Sequence, residues 1–259
     1  MKFMDRAPDH IADLKRLEQP PPRTESRSRT SSVELRARRA WVAGGTGLVG
    51  RALMPLLLAS QQYSEVHALV RSANSVLPPS IKLHRHRVDF QALSSAPARS
   101  IAAADDAFIL LGTTLQQAGS PEAFRRVDFD AVVATARAAR VAGATRLAVV
   151  SALGADKTSR VLYNRVKGEM EHAVSSLGFE LVVLARPSLL VGERRTLEQP
   201  RRPGEEWALR LLSPVMHWLP SRIRPIEAKV VARALVQAML FGRPGVHVLT
   251  SARLQEIGG

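Results

Sequence analysis

Ala40-Trp41-Val42-Ala43 runs into Gly44-Gly45-Thr46-Gly47-Leu48-Val49-Gly50, and an apolar, helix-like stretch over 51–60 follows. A short apolar run, a glycine cluster and a helical run spell strand, tight turn, helix. Glycines are needed there for three reasons: the turn is tight, the backbone must approach a pyrophosphate, and the helix must pack closely on the strand. The helix start then presents unpaired N–H groups and a partial positive charge to phosphates. Gly44, Thr46, Gly47, Leu48, Val49, Gly50 and Arg51 are therefore the first candidates for a dinucleotide-binding loop. An ordinary glycine-rich turn is the competing reading.

From Arg39 onward, strand-like and helix-like segments alternate. Strands are predicted over 40–43, 66–70, 82–88, 107–111, 146–151 and 180–186, and helices over 48–60, 121–141, 161–177 and 228–240. Alternation of this kind implies right-handed βαβ crossovers and a parallel sheet covered on both faces: an α/β, doubly wound, Rossmann-like fold. Pro55 falls inside the first helix and is expected to bend it or remove a hydrogen bond. Residues 1–38 read as an unfolded basic tail. Their Gln19-Pro20-Pro21-Pro22 and Ser/Thr/Arg-rich 23–32 segments offer no core face.

The second strand ends at Arg71, where a site preferring NAD usually places an acid for the ribose 2′-hydroxyl. A guanidinium there suits a 2′-phosphate instead, and Arg51 adds a second positive charge. NADP(H) is accordingly expected over NAD(H). Leu111, Gly112 and Thr113 leave another strand end toward the same crevice, where small residues let a dinucleotide pass close by.

A second constellation follows. Ser151 ends a strand, and Tyr163 and Lys167 stand one helical turn apart on one face. A lysine ammonium near a phenol favours the phenolate, so the tyrosine can exchange a proton with a carbonyl or alcohol oxygen. The serine hydroxyl can hold that same oxygen, and the lysine can also reach the nicotinamide ribose.

Gly44-x-x-Gly47-x-x-Gly50 with Ser151, Tyr163 and Lys167 resembles the short-chain dehydrogenase/reductase superfamily in its atypical or extended-like form. Four segments narrow the resemblance to the Tat-interacting oxidoreductase-like branch. They are Leu111-Gly112-Thr113-Thr114, Arg126-Val127-Asp128, the Ser151–Lys157 block running on through Tyr163 to Gly168, and Arg202-Pro203-Gly204-Glu205-Glu206-Trp207. The resemblance implies a Rossmann-like fold and NADPH binding. It assigns proton transfer to Tyr163, activation and ribose contact to Lys167, and oxygen polarisation to Ser151. It also makes Asp89 a contact to the adenine and places Arg186-Pro187 at the cofactor side of the entry to the substrate region. The fourth polar group of many members, an Asn on the helix over 121–141, has no counterpart here; that segment offers Asp128.

Composition sets the outer bounds. With no cysteine, disulfides, thiolate metal sites and cysteine nucleophiles are excluded. The net charge of +14 suits either a polyanion or a phosphate-bearing cofactor. Because it is scattered among acids and lacks a basic helix face, it favours the cofactor over nucleic acid. Residues 192–226 carry arginines with Trp207 and Trp218 and read as a small cap over the substrate crevice, with a membrane-surface segment as a further reading. His84 and His86 share one face of their strand with no acid beside them, which suggests an exposed edge and no metal site. Arg and Ser enrichment near the start hints at an organelle transit sequence, but Asp5, Asp9, Asp13 and Glu18 argue against it, so a cytoplasmic protein is expected. The substrate and the oligomeric state are not legible. An NADP(H)-dependent oxidoreductase acting on a carbonyl or alcohol is the expectation, and a non-catalytic NADPH-binding sensor or assembly protein is the alternative.

Overall fold

The computed structural model of the chain describes residues 36–94, 101–191 and 224–259. Strand β1 (Arg38–Ala43) leads through the glycine turn into α1 (Leu48–Ala59), followed by β2 (Tyr63–Val70), β3 (Leu83–Arg87) and β4 (Asp106–Ile109). A short helix α2 (Leu115–Ala118) precedes α3 (Pro121–Arg125), a π-helical stretch (Arg126–Ala131) and α4 (Val132–Val141). Then come β5 (Arg146–Val150), α5 (Leu162–Ser175), β6 (Leu181–Arg186) and a two-residue pair, β7 (Leu190–Val191) with β8 (Ile226–Glu227). Helix α6 (Ala228–Phe241), strand β9 (Gly245–Thr250) and helix α7 (Ser251–Gly258) complete the chain.

Seven strands form one sheet in the order β3-β2-β1-β4-β5-β6-β9, and every pairing is parallel. The reason is visible in β1, whose residues alternate between two apolar layers. Ala40 and Val42 join α1 and α6 on one face, while Trp41 and Ala43 join α4 and α5 on the other. A strand buried on both faces needs a near-continuous apolar run, and parallel sheets supply the two helical covers. Trp41 is fully packed and still satisfies its indole N–H, which donates to the Ala102 carbonyl at 2.9 Å. Burying each such large side chain contributes about 1.5–3 kcal/mol.

The doubly wound architecture expected from the alternation is the one observed, and its local features have physical causes. The helix expected over 121–141 is split, because six residues from Arg126 widen into a π turn that carries Asp128 into the interior. Such turns recur where a side chain must be re-aimed for function. Helix α1 runs through Pro55, which lies on the exposed side, so the bond it cannot donate is lost outside the core. Strand β9 and helix α7 extend the fold beyond the last predicted helix; β9 is an edge strand, and its alternating Val246 and Val248 were the signal. At the amino ends of the strands, a fully buried Asp106 accepts the Tyr63 hydroxyl at 2.6 Å and the Arg38 guanidinium at 3.2 Å. Burial first, and then the Asp106 charge, push the Tyr63 phenol far above its usual range.

Residues 1–35 of the expected tail and 192–223 of the expected cap, with Trp207, Trp218 and the Arg202–Trp207 segment, lie outside the described residues.

Candidate functional site

In an all-parallel sheet the carboxyl ends of the strands lie along one edge, and the order reverses between β1 and β4, which opens a crevice there. Gly44 leaves β1 with φ +87°, and a Cβ on it would stand 2.7 Å from the carbonyl of Leu110 on the neighbouring strand exit. The turn closes by Gly47 N–H donating to Gly44 O at 3.0 Å, and Arg51 N–H donates to Gly47 O at 2.9 Å. A Cβ on Gly50 would lie 2.1 Å from that same Gly44 oxygen, so α1 can sit on the turn only as glycine. Gly47 caps α1 in an extended conformation without any side-chain bond, leaving the first amides of α1 directed at the crevice. Val49 is buried and Leu48 packs against the same core, so both offer the crevice their backbone.

Arg51 does not simply reach outward: its Nε donates to the Thr46 carbonyl at 3.0 Å and braces the loop. Arg71 is exposed directly after β2. Exposed Arg87, opposite Val70 on β3, is a second guanidinium at this edge that the sequence reading passed over. Asp89 follows, exposed, with its Oδ1 accepting Gln91 N–H at 2.9 Å.

Three further elements meet beside the crevice. Lys167 Nζ on α5 lies 2.7 Å from Asp128 Oδ1 in the π-helical stretch, and both side chains are buried. Asp128 Oδ2 accepts the Thr113 N–H at 2.9 Å, and a Cβ on Gly112 would stand 3.4 Å from Asp128 Oδ1 and 3.7 Å from Lys167 Nζ. Lys167 and the Gly112-Thr113 loop are thus brought together through Asp128. Asp128 was noticed in the sequence only as the residue standing where an Asn is usual; its quoted Arg126-Val127-Asp128 motif was the available signal. Tyr163, one turn before Lys167, stacks on Phe124 with ring centroids 5.3 Å apart. Ser151 follows β5 with its amide bonded to Ala185 O at 2.7 Å, and its buried Oγ has no hydrogen-bond partner among the described residues. Gly168 lets α5 approach the preceding loop, since a Cβ there would lie 2.2 Å from Lys157 N.

Arg186 is differently engaged. Its guanidinium grips Glu171 through two bonds of 2.9 and 2.5 Å, which raise its pKa. It lines a cavity of about 470 Å³ with Asp156, Lys157 and His172, and neither the glycine loop nor Tyr163 or Ser151 contributes to that lining. Pro187 is buried, and its carbonyl accepts Leu153 N–H at 3.0 Å.

The histidine pair on β3 is an edge feature, as expected, but an acid and a third histidine come from β2. His67 Nε2 lies 2.9 Å from Glu65 Oε2 and His67 Nδ1 lies 3.0 Å from His86 Nε2, with the His84 ring stacked 5.0 Å away. A carboxylate only accepts, so neutral His67 carries its proton on Nε2 and His86 donates to Nδ1. Among the described residues no group of three or more acids and histidines is arranged to hold a metal. Burial lowers the pKa of both His67 and His86; the Glu65 bond opposes this at His67, and the neighbouring His67 reinforces it at His86. Depressed folded-state values mean the unfolded chain takes up protons first. Stability is therefore held above the ordinary histidine value of about 6.5 and lost as pH falls below it. Thermal melts are expected to show a falling Tm between about pH 7 and 5, with a shallower slope in His67→Gln.

Comparison with known proteins bears on this geometry. A model of an NAD(P)H-binding family matches residues 44–204, from the first glycine of the loop onward. The chain belongs to this family. Among curated relatives, the mitochondrial protein fmp52 of Aspergillus fumigatus is 34% identical over 222 residues, 83% of this chain and 93% of its own length. The FMP52 protein of Candida albicans is 28% identical over 221 residues, 85% and 94% respectively. The NAD(P)H-binding protein also shares its fold with the UDP-glucose 4-epimerase of Thermotoga maritima, at a TM-score of 0.61, 14% identity and coverage of 84% and 80%. WbmF of Bordetella bronchiseptica, solved with NAD+, gives 0.58, 16%, 86% and 77%. The family supplies a nicotinamide-dinucleotide-binding domain, and these solved structures agree with the doubly wound, Rossmann-like fold. One expectation is overturned. The relatives are named as mitochondrial proteins, which corrects the cytoplasmic assignment. The acids at positions 5, 9, 13 and 18 carried too much weight against the organelle reading.

Proposed function

We propose that the protein is an NADP(H)-dependent oxidoreductase that interconverts a carbonyl and an alcohol, working in the mitochondrion as its curated relatives' names indicate. The observation that carries this reading is the convergence of Lys167, one turn after Tyr163, with Asp128 and the Gly112-Thr113 loop; the Ser151 hydroxyl at the end of β5 adds support, being buried and without a hydrogen-bond partner among the described residues. A buried hydroxyl left unpaired is costly, and a substrate oxygen would satisfy it.

The residues fit a dinucleotide. The loop leaves no room for a Cβ at Gly44 or Gly50, so its backbone can approach phosphates closely, and the uncapped start of α1 supplies donors for them. A bound nicotinamide supplies or accepts the hydride. Ser151 holds the substrate oxygen, Tyr163 gives or takes the proton at that oxygen, and Lys167 favours the phenolate and reaches the ribose. Phe124 behind the Tyr163 ring limits its rotation.

Arg71 and Arg87 support the phosphate-bearing form of the cofactor, each able to offer charge-assisted bonds to a 2′-phosphate. Arg71→Asp is expected to weaken NADPH binding by about 1.5–3 kcal/mol and to narrow or reverse the preference over NADH. Isothermal titration with both cofactors checks this; tighter NADH than NADPH binding by the unaltered protein would sink the NADP assignment.

A non-catalytic NADPH-binding role is the second reading. What favours it is that the Lys167 ammonium is already engaged by a carboxylate, which weakens its effect on Tyr163. NADPH consumption across aldehydes, ketones and quinones separates the two.

A further inference from the structure

We infer that Asp128 is a charge-compensating positioning residue: by pairing with Lys167 and holding the Thr113 amide, it sets how strongly the lysine acts on Tyr163. The inference rests on the oxidoreductase reading for its catalytic meaning, but its test needs no substrate. The geometry has three parts. Asp128 is fully buried, one of its oxygens lies 2.7 Å from Lys167 Nζ, and the other accepts the Thr113 N–H at 2.9 Å. One carboxylate therefore ties α5 to the loop at the β4 exit. The π turn is what brings it there, because Asp128 belongs to the six residues wound more widely than an α-helix.

Among the described residues, Asp156 and Lys157 in the loop packed against Gly168 of α5 are exposed, and both acids of α5 have partners. On α5 itself, Glu171 is taken by Arg186, and Glu169 is taken by Arg125, whose guanidinium also lies over the Phe129 ring. The loop from Leu111 to Thr114 contributes no titratable group, and Ser151 contributes a hydroxyl. Asp128 is thus the counter-charge that faces Lys167. An ammonium one turn from a phenol pulls its ionisation to lower pH, and a carboxylate beside that ammonium cancels part of the pull. An Asn in its place would hold the lysine by a neutral bond and leave its charge in full. The carboxylate instead tempers the lysine and couples its position to the loop.

The chain suits a direct measurement because it has two tyrosines. Tyr63 donates to buried Asp106 and is pushed far up, so the phenolate absorbance that grows in moderately alkaline solution belongs to Tyr163. Asp128→Asn keeps an acceptor for the Thr113 amide and removes only the charge. The Tyr163 ionisation midpoint is expected to fall by about one pH unit relative to the native protein. Lys167→Met is expected to raise it. Adding Asp128→Asn to Lys167→Met is expected to shift the midpoint by less than Asp128→Asn shifts it alone, because the lysine through which the carboxylate acts is gone. A folded Asp128→Asn protein, verified by circular dichroism, whose midpoint equals the native value overturns the inference. If that variant does not fold, the comparison of Lys167→Met with the doubly neutral protein decides: a difference of a full unit between them shows Asp128 acting on Tyr163 without the lysine and overturns it equally. Absence of turnover on every carbonyl tested leaves these titrations intact and counts against the oxidoreductase reading alone.

Discussion

Replacing Tyr163 by Phe is expected to slow carbonyl reduction by about a hundred- to ten-thousand-fold while NADPH still binds with nearly native affinity. The substitution removes one oxygen and keeps the ring. That ring stacks on Phe124 at 5.3 Å, so the start of α5 keeps its packing and Lys167 its place. On the proposed mechanism, what disappears is the proton donor to the substrate oxygen, with Ser151 left to hold that oxygen alone. An interaction made only in the transition state should reduce kcat and kcat/KM together, with cofactor Kd unchanged. Steady-state rates paired with isothermal titration of NADPH check both halves. Equal rates for the two proteins would assign proton transfer elsewhere.

The second large effect is expected at Gly50. An alanine Cβ there would lie 2.1 Å from Gly44 O and 2.6 Å from the Gly45 Cα, contacts that no rotamer relieves because both partners are backbone. Either α1 withdraws or the turn opens, and in both cases the amides at the start of α1, which the proposed function assigns to the phosphates, move. Gly50→Ala should therefore weaken dinucleotide binding at least about tenfold and cost about 1–3 kcal/mol of stability, as overpacking does. Gly47→Ala is a graded control. Its Cβ would meet Gly44 O at 3.3 Å, a distance that a small adjustment accommodates, so its effect should be smaller. Titration of NADPH and thermal melts on the two variants establish the order. Native affinity in Gly50→Ala would mean that the loop is an ordinary tight turn.

Much of this was legible in the sequence, and the reasons are specific. The Gly44–Gly50 spacing encodes a contact so short that only glycine satisfies it, and apolar runs such as Leu147–Val149 and Leu181–Ala185 announce strands covered on both faces. The shared helix face of Tyr163 and Lys167 was legible because one helical turn joins them. Asp128 stood in the quoted Arg126-Val127-Asp128 segment, but its pairing was not legible, because it depends on a π turn and on a lysine 39 residues further along the chain. Glu65 and His67 escaped notice beside His84 and His86 for the same reason: register between β2 and β3, invisible in either strand alone, brings them together. Asp106, just outside the strand predicted over 107–111, is a buried partner of Tyr63, 43 positions away in sequence. Strand β9 was missed because an edge strand buries little, and exposed valines alternate without an apolar run.

Transfer of deuterium from NADPH labelled at the nicotinamide C4 position tests the account at its centre. With an aldehyde or ketone substrate, the label should appear on the new carbinol carbon with the native protein, and far more slowly with Tyr163→Phe. Stoichiometric NADPH binding with no label transferred to any carbonyl would contradict the catalytic assignment and leave the dinucleotide as a ligand that is only sensed.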